Sequence, residues 1–170
     1  MRISLNWLKQ WIQLDGLSVE TIAERLTMLG LEVEAVENLS EAIQGVVVGL
    51  VQEVKPHPNA DRLRLCVVEC GEEAPVPVVC GAANVFPGIK IPFAKVGAQL
   101  PGDFKIRKSK IRGEVSYGMI CSETELGLAD HSEGIMVLPE TAPVGQDFIA
   151  YQQLDDVIIE VAITPNRGDC

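Results

Sequence analysis

A chain of 170 residues can bury roughly two thirds of its unfolded surface in one or two domains without help from disulfides. Although 47% of the residues are apolar, no run approaches the ~18 residues of a membrane helix, and the opening MRISLNWLKQW lacks a signal peptide's apolar region and cleavage site, so a cytoplasmic protein without a membrane partner is expected. A net charge of −10 excludes an indiscriminate nucleic-acid binder, because phosphate contacts need a cationic surface.

From the N-terminus, Leu5, Leu8 and Ile12 recur at helical spacing with Trp7 and Trp11 on an adjoining stripe, which predicts a short amphipathic helix over Ser4–Leu14. After the Asp15-Gly16 break, Ser18 can cap a second helix with Val19, Ile22, Ala23, Leu26 and Leu29 as its buried stripe, and Gly30 can stop it. Leu31, Val33 and Ala35 then alternate with Glu32, Glu34 and Val36, the pattern of a half-buried strand. Residues 1–39 are too little to make a core alone.

From residue 40 to residue 150 the chain becomes short apolar runs broken by Gly and Pro, at the intervals of an all-β barrel. Strands are expected at Val46–Val54, Leu63–Glu69, Val76–Cys80, Lys90–Ala94, raggedly over Phe104–Arg112, and at Gly134–Leu138. In SETE, Ser122 and Glu125 make a capping box for one short helix that Gly127 ends. The first two strands are joined by VKPHPNADRLRLC, where Pro56 and Pro58 push Lys55 and His57 out of the α region and Asn59 and Asp61 bring turn chemistry. Arg62 and Arg64 alternate with Leu63 and Leu65, which predicts a cationic face opposite the leucines. Lys105, Arg107, Lys108, Lys110 and Arg112 gather five of the chain's 14 basic residues in one segment. Ile106 and Ile111 have opposite parity there, so a bulge or turn near Lys108-Ser109 is needed to bury both. A phosphate-contacting hairpin and a solvated charged hairpin both satisfy this pattern.

In residues 151–170, Val157, Ile159, Val161 and Ile163 alternate with Ile158, Glu160 and Ala162 in a strand that ends at Thr164-Pro165 and is expected to pair with Glu32–Val36. The fold class read from this is α+β: a mainly β barrel, residues 40–150, inserted into a small discontinuous α/β domain made by residues 1–39 and 151–170. The closing NRGDC reads as an approach to a further element, and the chain as a fragment of a longer protein.

Chemistry-bearing motifs are few. Gly113 to Gly118 has a glycine spacing, yet neither G-x-G-x-x-G nor a P-loop is present, so nucleotide binding has no support. Five cysteines (66, 70, 80, 121 and 170) without a C-x-x-C read as reduced, buried thiols. Cys80 with His57, or Cys121 with His131, would resemble a cysteine nucleophile and its base; no ligand pair has zinc spacing. No catalytic or metal-binding residue is expected. A barrel of this kind commonly binds oligonucleotides across a sheet face and its loops. Phe86, Phe93, Phe104 and Tyr117 are few stacking platforms, so shape and phosphate contacts are the expected mode.

The runs VGLVQEVKPHPNADRLRLCVVECG, VVCGAANV and KSKIRGEVSYGMICSETELGL resemble the tRNA-binding OB-fold module of the bacterial phenylalanyl-tRNA synthetase β subunit. Related modules occur at the end of some methionyl-tRNA synthetases and in freestanding tRNA-binding proteins. The flanking ISLNWLKQWIQL, LTMLGLEVEAVE, ADHSEGIMVLPETAPVGQD and ITPNRGDC resemble the N-terminus of the β subunit. The resemblance implies an OB-fold barrel and, for the whole enzyme, a cytoplasmic α2β2 ligase that joins phenylalanine to its tRNA using ATP and magnesium. It implies a catalytic centre on the α subunit, with no cofactor in this stretch, and phenylalanine-specific tRNA and the α subunit as partners, not DNA. The barrel motif falls on His57, Pro58, Asn59, Ala60, Asp61 and Leu63, then on Arg112, Gly113, Ser116, Gly118 and Met119. Asp61 is expected as a loop brace, Gly118 as a site of close backbone approach and Met119 as core. The tRNA-contact role falls on Lys105, Arg107, Lys108, Lys110, Arg112, Arg62 and Arg64. The alternative is a freestanding tRNA-binding or chaperone-like OB-fold protein, against which the residues outside 40–150 argue.

Overall fold

The computed structural model describes residues 1–165 and divides the chain into two units, residues 1–41 with the segment from Leu154 onward, and Ala42–Gln153. Strand β1 (Arg2–Ser4) runs into helix α1 (Leu5–Leu8), where Ser4 Oγ accepts the Trp7 N–H at 3.0 Å. The helix expected as far as Leu14 stops after one turn, and the N–H groups of Trp11 and Ile12 both bond back to the Leu8 carbonyl. Burial explains this: Leu5 is the buried residue of α1, while Trp7 and Trp11 are 54% and 71% exposed and pack edge to face on each other. A short helix is not stable without an apolar face to bury.

Helix α2 (Val19–Met28) has the expected ends. Ser18 Oγ accepts the Thr21 N–H at 3.2 Å. Gly30, at φ +87°, closes a Schellman motif in which the Leu31 N–H reaches the Leu26 carbonyl and the Gly30 N–H the Thr27 carbonyl. Leu29 is not part of the buried stripe; as the C-cap residue it turns outward and is 71% exposed. Strand β2 (Val33–Asn38) and a helical turn, α3 (Leu39–Ala42), follow.

The second unit contains β3 (Gln44–His57), β4 (Ala60–Glu69), β5 (Val76–Cys80), β6 (Lys90–Leu100), β7 (Phe104–Lys105), β8 (Ser109–Ile111), β9 (Glu114–Ser116), β10 (Met119–Ile120) and α4 (Phe148–Gln152). The main sheet has the order β10-β6-β3-β4-β5 with β7 paired on β6, and β8 and β9 form a separate hairpin. Its pairings are antiparallel. The Tyr117 N–H donates to the Pro77 carbonyl at 2.9 Å and the Val79 N–H to Ser116 Oγ at 3.1 Å. The end of β9 and Tyr117 thereby reach the free edge of β5, and the sheet closes into a five-stranded barrel, which removes its exposed edges.

β3 is longer than expected because it serves two neighbours, β6 along Gln44–Leu50 and β4 along Leu50–His57, and β6 extends past Ala94 to pair with Gln44 and with β7. Register shifts between Gln44 and Val46 and between Val51 and Glu53 bend it around the barrel. Gly49 lies between these two shifts, where a Cβ would stand 2.9–3.0 Å from Ile91, Phe93 and Val68. Inside lie Val51, Val68, Val78, Ile91 and Phe93 together with Cys66, Cys70 and Cys80; truncating Phe93, 1% exposed, to Ala is expected to cost ~3–5 kcal/mol. The four described cysteines are free and buried, and Cys170 lies outside the described residues.

Two expected elements are absent as such. Gly134–Leu138 makes an isolated bridge, Leu138 to Lys90, and one bond from the Met136 N–H to the Cys121 carbonyl, so its alternation reflects packing rather than a ladder. SETE forms its capping box, with Ser122 N–H and Oγ on Glu125 Oε2 at 2.7 and 2.8 Å. The Leu128 N–H on the Glu123 carbonyl and the Gly127 N–H on the Thr124 carbonyl then close it as a Schellman end. Both caps fall within one turn, and no helix fits between them.

The last described strand, β11 (Val157–Val161), lies between β1 and β2 in the sheet of the first unit and is antiparallel to both. It pairs with β2 as expected, Ile159 opposite Val36 and Glu160 opposite Ala35, but ends at Val161. Ile159 and Val161 are fully buried and form the core of this unit with Leu5 and Ile22.

Candidate nucleic-acid interface

The prolines of VKPHPNADRLRLC keep the chain extended, so β3 continues to His57, and a turn at Pro58-Asn59 starts β4. His57 is 5% exposed. Its Nδ1 accepts the Asn59 N–H at 3.1 Å, and its Nε2 lies 3.2 Å from the Ile111 carbonyl. A nitrogen facing a carbonyl must donate, so in this geometry the hydrogen of that bond sits on Nε2. Asn59 Nδ2 donates to the Arg112 carbonyl at 3.4 Å. The loop therefore fastens the β8–β9 hairpin at its tip. Asp61 is exposed and takes part through its carbonyl, which accepts from Arg64 Nη1 at 3.2 Å; the brace is main-chain, not carboxylate.

The parity read for β4 holds, but its sense is reversed. Arg64 shares the face of Cys66 and Val68, the barrel interior, while Leu63 and Leu65 are only half-buried on the other side. Arg64 lies at the end of that interior face, where its guanidinium turns back to the Asp61 and Leu63 carbonyls. Arg62 is exposed.

The basic segment begins where β7 leaves the barrel. Ile106, 5% exposed, is anchored by its N–H on the Ala98 carbonyl and its carbonyl on the Gly97 N–H, both at 2.8 Å. The strand breaks over residues 106–108, a little before the expected Lys108-Ser109; Ile106 is buried there, whereas Ile111 is only half-buried. The β8–β9 turn is Arg112-Gly113, at φ +51° and +103°. Two left-handed central residues match the twist of a hairpin, although Asn-Gly is the commoner pair there. Lys105, Arg107, Lys108, Lys110 and Arg112 are all exposed. The ion pairs of the described residues, Arg2–Glu37, Lys55–Glu53 and Lys95–Glu72, involve none of them. Lys108 Nζ stands 4.4 Å above the Tyr117 ring.

Behind the hairpin, Ser116 is buried; its Oγ takes the Val79 N–H and donates to the Gly118 carbonyl at 3.0 Å. Met119 is half-buried and lines a groove instead of filling the core. The groove, of about 680 Å³, has Phe104, Lys105, Arg107, Met119, Glu125 and Ile135 among its lining residues. Phe104 and Glu125 were not among the residues the sequence pointed to as a site; the one available signal was an aromatic ring directly before the basic run.

The thiol–imidazole pairs do not form. Both ring nitrogens of His57 are committed to the backbone, Cys80 Sγ accepts the Ala82 N–H at 3.5 Å, and Cys121 Sγ donates to the Met119 carbonyl at 3.7 Å. Burial pushes the Cys66 and Cys121 thiols up to about 12, and raises Cys70 and Cys80. A nucleophilic cysteine needs the opposite shift. Among the described residues, no group of three or more His, Cys, Asp or Glu side chains is placed to hold a metal. Among them, too, no helix is long and apolar enough to cross a membrane.

Comparison with known proteins gives the family. The family model described as "Putative tRNA binding domain" covers residues 46–147. The chain belongs to this family. All of the chain is also similar to phenylalanine–tRNA ligase beta subunits. It is 51% identical to that of Francisella tularensis, covering 22% of it, 53% identical to that of Idiomarina loihiensis, covering 21%, and 49% identical to that of Geobacillus kaustophilus, covering 22%. The chain thus spans about a fifth of the length of these curated relatives. Among solved structures, it is similar to the C-terminal domain of Plasmodium vivax p43, with a TM-score of 0.44 and 23% identity over 59% of this chain and 56% of that one. A MetRS-related protein from Pyrococcus horikoshii gives a TM-score of 0.45 and 26% identity over 59% and 85%.

Proposed function

We propose that this chain is a non-catalytic part of a phenylalanine–tRNA ligase β subunit that adds tRNA-binding surface and scaffolding to the assembled enzyme. In this reading residues 40–150 are the tRNA-binding domain, and residues 1–39 with 151–170 form a second domain. Lys105, Arg107, Lys108, Lys110 and Arg112 meet tRNA phosphates, with Arg62 and Arg64 as lesser contributors. His57, Pro58, Asn59, Asp61, Gly113, Ser116, Gly118 and Met119 hold the hairpin and barrel in shape. The rest of a cytoplasmic α2β2 ligase supplies ATP and magnesium chemistry, and the α subunit is the partner. The observation that carries this is a segment of five exposed cations leading into a hairpin fastened by His57 and Asn59, in a family named for tRNA binding. That the ligase relatives match all of the chain, including residues 1–39, favours it over a freestanding RNA-binding protein.

The test is a salt titration of tRNA binding by the 170-residue chain. Each phosphate contact contributes a log–log slope of about −0.7 to −0.9, so the five cations of the segment from Lys105 to Arg112 predict about −4. Lys108→Glu with Lys110→Glu is expected to leave the fold intact and to lower affinity more than tenfold. Absence of binding at low salt would sink the RNA role; unfolding of the double variant would show that these side chains do not face outward.

A further inference from the structure

Phosphate contacts alone do not account for the groove beneath the basic segment. Its lining includes Phe104, a large aromatic residue left 55% exposed in direct sequence with Lys105, and Arg107. Met119 and Ile135 give it apolar surface. Glu125 lines it as well, with one carboxylate oxygen already fixed by the Ser122 N–H and hydroxyl. A volume of about 680 Å³ falls within the ~300–1,000 Å³ typical of small-ligand sites. An aromatic face next to cations, over an apolar lining, has the chemistry of a base and its phosphate, and such stacking tolerates any base. A paired base in a duplex has both faces covered by its neighbours and cannot use the ring. A carboxylate held in place accepts hydrogen bonds from an exocyclic amino group.

We propose that this groove takes one unpaired RNA nucleotide, its base stacked on Phe104 and its phosphate on Lys105 and Arg107, with Glu125 favouring a base that carries an exocyclic amino group. This rests on the RNA-binding reading above and adds the kind of RNA element that the chain selects. It also revises the expectation that aromatic rings are too few to matter, because one well-placed ring is enough for one nucleotide.

Fluorescence anisotropy with two labelled probes, a short single-stranded oligocytidine and a blunt RNA duplex, tests it on the 170-residue chain. Phe104→Ala is expected to lower the ratio of single-strand to duplex affinity about tenfold, as loss of one stacking contact does. Phe104→Tyr keeps the ratio, and the salt slope of Phe104→Ala stays at the parent value because no cation is removed. Glu125→Gln, which can preserve the capping box, is expected to reduce the preference for oligocytidine over oligouridine. An unchanged ratio in Phe104→Ala, alongside a loss of binding in Lys108→Glu/Lys110→Glu, overturns the subsite and leaves the phosphate-contact reading standing. If neither probe binds the parent chain, both fall.

Discussion

Gly118 sits at φ +136°, where a Cβ would stand 2.3 Å from Phe93 Cζ and 2.7 Å from the Ala94 carbonyl oxygen. Neither neighbour can yield cheaply, since Phe93 fills the core and Ala94 is in the β6–β10 ladder. Gly118→Ala is therefore expected to cost about 2–4 kcal/mol through strain and overpacking, read as a lower midpoint in urea denaturation. A loss below about 1 kcal/mol would mean that the Phe93 ring moves aside. The thiols give a second prediction at this scale. With Cys66 and Cys121 raised to about 12 by burial, the folded chain keeps protons that the unfolded chain releases near the ordinary thiol value. Stability should be flat in these groups below about pH 8.5 and fall above it, by on the order of 1 kcal/mol per thiol per pH unit, until the folded thiols ionise. Denaturation midpoints from pH 8 to pH 11, compared with those of Cys66→Ala/Cys121→Ala, check the sign.

At the scale of elements, the β3–β4 loop and the β8–β9 hairpin act as one piece, because His57 and Asn59 hold the carbonyls of Ile111 and Arg112. His57→Ala removes a buried ring and leaves the Asn59 N–H without its acceptor. A loss of about 1–3 kcal/mol is expected, together with faster amide exchange in Ser109–Ser116, and unchanged exchange there would show that the hairpin stands without the loop. Arg112 is a non-glycine residue in the left-handed region, at φ +51°, which costs of order 1 kcal/mol or more. Arg112→Asn suits that turn better. It should raise the thermal midpoint while lowering the tRNA salt slope by nearly one contact, and a midpoint that does not rise would remove the case for strain held at this position. What could be read from the sequence divides along the same line. The α2 caps and the β2–β11 pairing follow from neighbouring residues and period-two alternation. The link between His57 and Ile111, the reversed face of Arg64 and the groove depend on contacts between residues far apart in sequence, about which local pattern is silent. The helix expected over Ser4–Leu14 failed for a related reason, since periodicity cannot say whether another surface will cover Trp11.

At the scale of the whole molecule, a net charge of −10 and the phosphate contacts proposed for the basic segment make opposite demands, and the distribution of charge decides between them. At physiological salt, charges beyond ~8 Å are largely screened, so the hairpin cations should act on a docked phosphate while the acidic remainder weakens approach only at low salt. Two double variants with equal net charge separate place from total. Lys108→Glu/Lys110→Glu and Lys9→Glu/Arg25→Glu each carry the chain from −10 to −14, and all four residues are exposed, but Lys9 and Arg25 belong to the first unit and the two lysines to the second. In a tRNA titration near 0.15 M salt, the first variant is expected to lose more than tenfold in affinity, with a salt slope shallower by about 1.5. The second should lose no more than about threefold and keep the parent slope. Equal losses in both would mean that tRNA responds to the overall charge of the chain, and the hairpin would lose its claim to be the contact surface.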